Sequence, residues 1–277
     1  MQGFLYQDSY FDLTNSEKYN LSIQASLDGF SVLLQNNENH AIEFINYIPY
    51  LLSGEPGLLR KLNELLTKKD IIGRSFKKTT IILESKQVKI VPDQLVNEKN
   101  LIYLFNTKPK DSKGRSFITT PLTESYRSIF GYNSEIIEFF ERNLTNCTFI
   151  HETSELLKFC LKQGSQGKVL ICCLFHTDYF YLFATKDGDI LFLNSFSFHS
   201  PTDILFYMLS GLKLFIGESV IMKVSGNIDE QSPEYSIIMK YFPDVQFWEP
   251  SHIRVTDNQI NGFQPHRIAP LLSSVVQ

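Results

Sequence analysis

Residues Tyr19–Gln35 read YNLSIQASLDGFSVLLQ. Two apolar, partly alternating runs, Leu21–Ala25 and Phe30–Gln35, flank Leu27-Asp28-Gly29. That pattern predicts a β-hairpin, because an Asp-Gly pair tolerates positive φ at small cost. A polar turn, Asn36–Asn39, then leads into a third strand, Ile42–Ile48. An amphipathic helix over Pro56–Lys69 and a β-branched strand, Thr79–Leu83, complete the unit. The same grammar returns about 150 residues later. Val169–Leu174, Tyr179–Thr185 and Ile190–Phe196 predict three strands, Thr202 to about Phe215 a helix, and Ser219–Val224 a strand. A strand–strand–strand–helix–strand unit used twice predicts an α/β protein of two similar domains.

The helix assignments rest on spacing and caps. Ser53-Gly54-Glu55-Pro56 opens the first, with Pro in the first turn and Glu at the positive end of the helix dipole. Leu58, Leu59, Leu62, Leu65 and Leu66 then fall on one face. Ser200-Pro201-Thr202-Asp203 caps the second helix, whose stripe is Leu205, Met208, Leu209, Leu212 and Phe215. His176-Thr177-Asp178 and Lys186–Asp189 mark the two turns of the second copy.

Between the copies, Val88–Val91 is expected to pair with the preceding strand. Leu101–Phe105 and Phe117–Thr119 are short strand candidates around a turn at Lys108–Gly114. Glu135–Arg142 and Ser154–Lys162 are predicted helices, with a strand at Cys147–Ile150 between them. Pro233–Tyr241 is a further helix and Val245–Trp248 an edge strand. The domains are placed at 1–150 and 151–277, with the crossing between Asn143 and Gly167. The tail from Ser251 has no consistent period and is expected to be irregular or to meet a partner.

Composition bounds the function. At 277 residues, with 43% hydrophobic and 20% charged residues, the chain is an ordinary globular one. A net charge of −4 argues against general affinity for nucleic acid or membrane surfaces. Residues 60–115 carry 14 Lys and Arg against 6 Asp and Glu. These charges are scattered and not interleaved with aromatics, so solvated faces explain them better than a nucleic-acid site. Cys147, Cys160, Cys172 and Cys173 lack metal-ligand spacing, and Cys172 and Cys173 point to opposite faces of one strand. Free thiols in a reducing compartment are expected. No signal peptide is evident, and no apolar run approaches the roughly 20 residues of a membrane span. The two Asn-x-Thr sequons at Asn143 and Asn146 then carry no meaning, and the expected location is the cytoplasm.

The duplicated unit resembles the actin-like ATPase superfamily, built from two ribonuclease H-like domains. The strings LSIQASLDGFSVLLQ, VKIVPDQLVNEKNLIYLFNT and GDILFLNSFSFHSPTDILFYMLSGL are similar to an uncharacterised bacterial family found mainly in Bacteroidetes. The resemblance spans about Tyr19 to Trp248 and implies an actin-like fold with no assigned activity. In the superfamily's working ATPases, two Asp-x-Gly turns and a later glycine pair hold the nucleotide. Glycine lets backbone N–H groups approach phosphate, and the carboxylate orients metal-bound water.

The candidate nucleotide residues implied here are Asp28, Gly29, Ser31, Thr177, Asp178, Ser225, Gly226 and Asn227. Each motif departs from the superfamily pattern. Leu27 stands two before Gly29, Phe30 stands where a hydroxyl belongs, and Ser31 comes one place late. Phe175–Tyr179 contains no glycine, and Ser225-Gly226-Asn227 has one glycine where a pair is usual. Laid over each other, the copies put Asp28-Gly29 opposite Thr177-Asp178.

Simpler readings compete at each residue. Asp28 serves an Asp-Gly turn without any ligand. His176 and Asp178 could form an acid–base pair with Asp28 across a cleft, but a polar hairpin tip accounts for them better. His199 fits the helix cap, and His151 and Glu152 fit the end of a strand. No Walker loop, dinucleotide fingerprint, Cys-x-x-Cys, His-Glu-x-x-His or nucleophile elbow occurs. The sequence therefore predicts a non-catalytic, protein-binding scaffold with a degenerate nucleotide site, no catalytic residue, no metal and no cofactor. The alternative is a divergent ATPase or small-molecule kinase using ATP and Mg²⁺. A homodimer is compatible with both, and a nucleic-acid role through residues 60–115 comes last.

Overall fold

The structure is a computed structural model of the chain and describes residues 3–97, 100–105, 113–163, 167–250 and 263–275. Contacts divide it into two compact units. The first holds residues up to Ser154, Phe263 and the described residues from Pro270. The second holds Glu155–Pro250 and Gln264–Ala269.

In the first unit β1 (Phe4–Gln7), β2 (Tyr19–Ala25), β3 (Gly29–Asn36) and β4 (Ile42–Pro49) precede helix α1 (Glu55–Lys68) and β5 (Lys78–Leu83). Then come β6 (Val88–Pro92), α2 (Leu101–Leu104), β7 (Arg115–Pro121), β8 (Tyr126–Asn133), α3 (Ser134–Asn143), β9 (Cys147–His151) and α4 (Glu152–Gln163), whose first turn ends the unit. The main sheet has the order β1-β4-β3-β2-β5-β9. Strands β2, β5 and β9 run parallel, so their carboxyl ends, Ala25, Leu83 and His151, share one edge of the unit.

Strands β2 and β3 are buried almost throughout, because both faces of the sheet are covered. On one face Leu58, Leu62, Leu65 and Leu66 of α1 and Ile136, Ile137 and Phe140 of α3 pack against Leu21, Ile23, Val32 and Ile81. The alternate positions meet the end of the chain: Ser274 Oγ donates to Ser22 Oγ at 3.2 Å, and Gln35 Nε2 donates to the Val275 carbonyl at 3.4 Å. The end of the tail is thus ordered as α7 (Ala269–Ser273), contrary to the irregular segment expected there. Two buried leucines, Leu271 and Leu272, are too few to announce a helical period in the sequence.

The middle of the chain differs from expectation in two ways. β6 does not pair with β5 but antiparallel with β8, in a small sheet of order β6-β8-β7. Leu101–Leu104 is helical, not extended. Leu101 and Phe105, one helical turn apart, are both buried beside Val91 and Ile129, and this packing outweighs the β-like composition. Most of the turn expected at Lys108–Gly114 lies outside the described residues.

The second unit repeats the order of the first. β10 (Val169–Phe175), β11 (Tyr179–Lys186), β12 (Asp189–Ser197), α5 (Pro201–Leu212), β13 (Val220–Gly226), α6 (Pro233–Tyr241) and β14 (Gln246–Phe247) give a sheet of order β12-β11-β10-β13-β14. Ser200 caps α5 with a reciprocal capping box to Asp203, as the sequence implies. Ile204 and Met208 of α5 and Ile238 of α6 close a core over Ile171, Cys173, Phe180 and Leu182.

Candidate functional site

In the first unit the predicted hairpin turn lies at the carboxyl ends of the parallel strands, where α/β sheets bind ligands. Ser26 N donates to the Gly29 carbonyl at 3.1 Å, so the loop proper is Leu27-Asp28. The positive φ expected of Asp28-Gly29 is absent at both residues. Gly29 instead leaves room for the Tyr47 ring, which a Cβ there would approach to 3.1 Å. The Asp28 carboxylate accepts the Ser26 hydroxyl at 2.6 Å, and the Leu27 amide donates to Glu84 Oε2 at 2.9 Å. A carboxylate of the chain itself thus holds an N–H of the turn that the superfamily resemblance assigns to phosphate.

Further groups gather at the same edge. Tyr50 OH donates to the Ser26 carbonyl at 3.2 Å. Burial, then the charges of Asp28 and Glu84, push the Tyr50 proton affinity up. Tyr132 is buried. Burial chiefly, and then Glu84, Glu55 and Glu152, push it up in the same direction. Both phenols therefore stay protonated. His151 Nδ1 accepts from the Thr153 amide at 3.2 Å and lies 2.8 Å from the Thr153 hydroxyl, which fixes the neutral ring's hydrogen on Nε2, donated to the Ser85 carbonyl at 2.8 Å. This ties the end of β9 to the loop after β5 and so sets the carrier segments of Glu84 and Glu152. Sequence reading overlooked Glu84, Tyr50 and Tyr132 and took Glu152 for a strand end. Their signal was positional: each of the two carboxylates directly follows a parallel strand.

The second unit closes its turn identically, with His176 N donating to the Tyr179 carbonyl at 2.9 Å. The loop proper is Thr177-Asp178. Asp28 and Asp178 hence occupy the same loop position, and Gly29 corresponds to Tyr179, one step from the alignment the sequence suggested. The Tyr179 ring stacks on His176, centroids 4.5 Å apart.

Thr177 and Asn227 come together, with Asn227 Nδ2 donating to Thr177 Oγ1 at 3.4 Å. Ser225 is buried and donates to the Cys173 carbonyl at 3.1 Å. Gly226 has φ +85°, and a Cβ there would lie 2.2 Å from the Phe175 carbonyl oxygen. Asn227 N donates to that same oxygen at 2.8 Å. Ser31 lies within β3, buried and away from the loop proper. His199 N donates to Asp203 Oδ2, as a helix cap requires.

Residues 8–245 match a family described as a protein of unknown function, DUF3822. The chain belongs to this family. No curated protein matches it. Among solved structures, a Bacteroides thetaiotaomicron protein with an actin-like ATPase fold and unknown function aligns with a TM-score of 0.81 at 18% identity, over 97% of this chain and 100% of that one. The PilM–PilN type IV pilus biogenesis complex aligns with a TM-score of 0.65 at 9% identity, over 93% and 98%. The ethanolamine utilization protein EutJ from Carboxydothermus hydrogenoformans aligns with a TM-score of 0.50 at 9% identity, over 93% and 89%. At these identities the likeness establishes the fold: the DUF3822 chain has the two-domain actin-like ATPase fold, as its duplicated sequence predicted. No helix among its described residues is long and apolar enough to cross a membrane.

Proposed function

We propose that this DUF3822 protein is a cytoplasmic, bacterial, protein-binding member of the actin-like fold in which phosphate binding has been given up. One observation carries the reading: the Leu27 amide of the first turn donates to Glu84. An anionic ligand there would have to displace a carboxylate already seated on the amide and would be repelled by it. The second turn supports the same reading, since Tyr179 fills the position of a glycine. A relative in fold, PilM, is known in complex with another protein, PilN, so the fold itself is suited to protein contacts. The eight candidate residues then serve as turn, cap and packing groups.

A divergent ATPase or small-molecule kinase is the second reading, favoured by the repeated loop aspartates Asp28 and Asp178. A thermal melt with ATP and Mg²⁺ separates the two. Binding to the native state alone raises the midpoint. An unchanged midpoint at millimolar nucleotide supports the binding role. A raised midpoint together with hydrolysis lost in Asp28→Ala overturns it.

A further inference from the structure

The two units present their outer strands differently. β4 in the first unit and β12 in the second are equivalent by register. Val32 faces Asn46 and Leu182 faces Asn194, and each strand carries a register shift two to three residues earlier, which leaves Glu43 and Leu191 as the extra residues. In the first unit this edge is covered. β1 pairs with β4 antiparallel, placing Tyr6 opposite Ile45 and Phe4 opposite Tyr47. Asn46 Nδ2 donates to the Phe4 carbonyl at 3.2 Å, and Asp8 N donates to the Glu43 carbonyl at 2.8 Å.

In the second unit β12 ends the sheet, and no strand among the described residues covers its outer side. Asn194 instead turns its Oδ1 onto the next amide, Ser195 N, at 2.9 Å. By equivalence with Glu43, Ile45 and Tyr47, the residues directing backbone groups outward are Leu191, Leu193 and Ser195.

Long open edges are ordinarily blunted by Lys, Pro or brevity. At nine residues β12 is the longest strand among those described, and Ile190–Ser197 contains neither charge nor proline. Apolar surface continues beside it. Tyr207 of α5 stacks on Phe196, Phe215 stacks on Phe192, and the neighbouring Phe206 and Leu214 are 65% and 69% exposed.

We propose that β12 is the interface of a twofold homodimer, pairing antiparallel with β12 of a second copy. An axis at Leu193 sets Leu193 against its own copy and Leu191 against Ser195, the pattern of main-chain pairing that β1 makes on β4. The absence of charge leaves no like-charge repulsion between identical strands. Antiparallel self-pairing is the isologous arrangement that twofold symmetry requires. A second copy fits because the uncharged stretch Ile190–Ser197 can oppose itself in this register, Leu193 on Leu193 and Leu191 on Ser195, with no charge left facing a like charge. This inference goes beyond the proposed function and holds whether or not nucleotide binds.

Sedimentation equilibrium of the full chain, from low to high micromolar concentration, tests it. The wild type is expected to dimerise with concentration. Leu193→Lys, which sets two ammonium groups across the axis, and Ser195→Pro, which removes an outward N–H at an edge position where proline is tolerated, are expected to stay monomeric. Leu5→Lys, at an exposed position of β1, is expected to dimerise like the wild type. Circular dichroism confirms folding of each variant, and either folded edge variant suffices. A wild type that is monomeric throughout, or a dimer unaltered in a folded edge variant, overturns the proposal.

Discussion

The Leu27 amide donates to Glu84 Oε2 at 2.9 Å, joining the first hairpin turn to the end of β5. Charge-assisted bonds of this kind, once broken on one side, leave the other partner unsatisfied. Glu84→Ala is expected to lower the stability of the chain by about 1–3 kcal/mol, with Glu84→Gln losing less. Urea titration of the three proteins checks the order. Equal stabilities would show that the contact contributes nothing.

Gly226 and Gly188 both have positive φ, but their surroundings differ. At Gly226 an added Cβ meets the Phe175 carbonyl oxygen at 2.2 Å, whereas at Gly188 nothing lies within 4 Å. Gly188→Ala is expected to cost about 1 kcal/mol, the left-handed conformation alone. Gly226→Ala must also displace backbone and is expected to cost well over about 2 kcal/mol. Thermal melts of the pair decide it.

His266 is buried against Phe247, and its Nε2 donates to the Ile228 carbonyl at 2.9 Å. Burial pulls its pKa down to about 4, below the ordinary value near 6.5. The unfolded chain therefore binds a proton that the folded chain refuses. Stability is full above pH 6.5 and falls as pH drops toward 4, by about 3 kcal/mol at most. The slope of stability against pH in this window is expected to flatten in His266→Gln. An unchanged slope would assign the acid limb to other groups.

Cys160 and Cys172 place their sulfurs 3.4 Å apart in the second unit. The hydrogen bond to Cys172, then burial, raise the Cys160 thiol, while burial raises Cys173. Half-buried Cys147 is pushed up to about 11, mainly by burial. Thiolate is the reactive form, so alkylation at pH 8 is expected to be slow in the native protein and complete in denaturant. Mass spectrometry of iodoacetamide-treated samples measures this, and rapid native modification of Cys160 would contradict it.

Much of this protein was legible in its residues. Alternating apolar runs, turn residues and helix caps are local, and they appear twice, so Tyr19–Gln35 and its counterpart at Val169–Lys186 determine the duplicated architecture and through it the actin-like fold. The Ser200 cap and the leucine stripe of α1 were readable for the same reason. What tertiary structure decided is every relation between distant residues. It turned Leu101–Leu104 into a helix through burial, paired β6 with β8, and covered the first sheet with the chain's own end. It also brought Glu84 onto the Leu27 amide, 57 residues away in sequence. No local pattern encodes that approach, because it depends on two parallel strands ending side by side. The sequence determined the turns; only the packed sheet decided what occupies them.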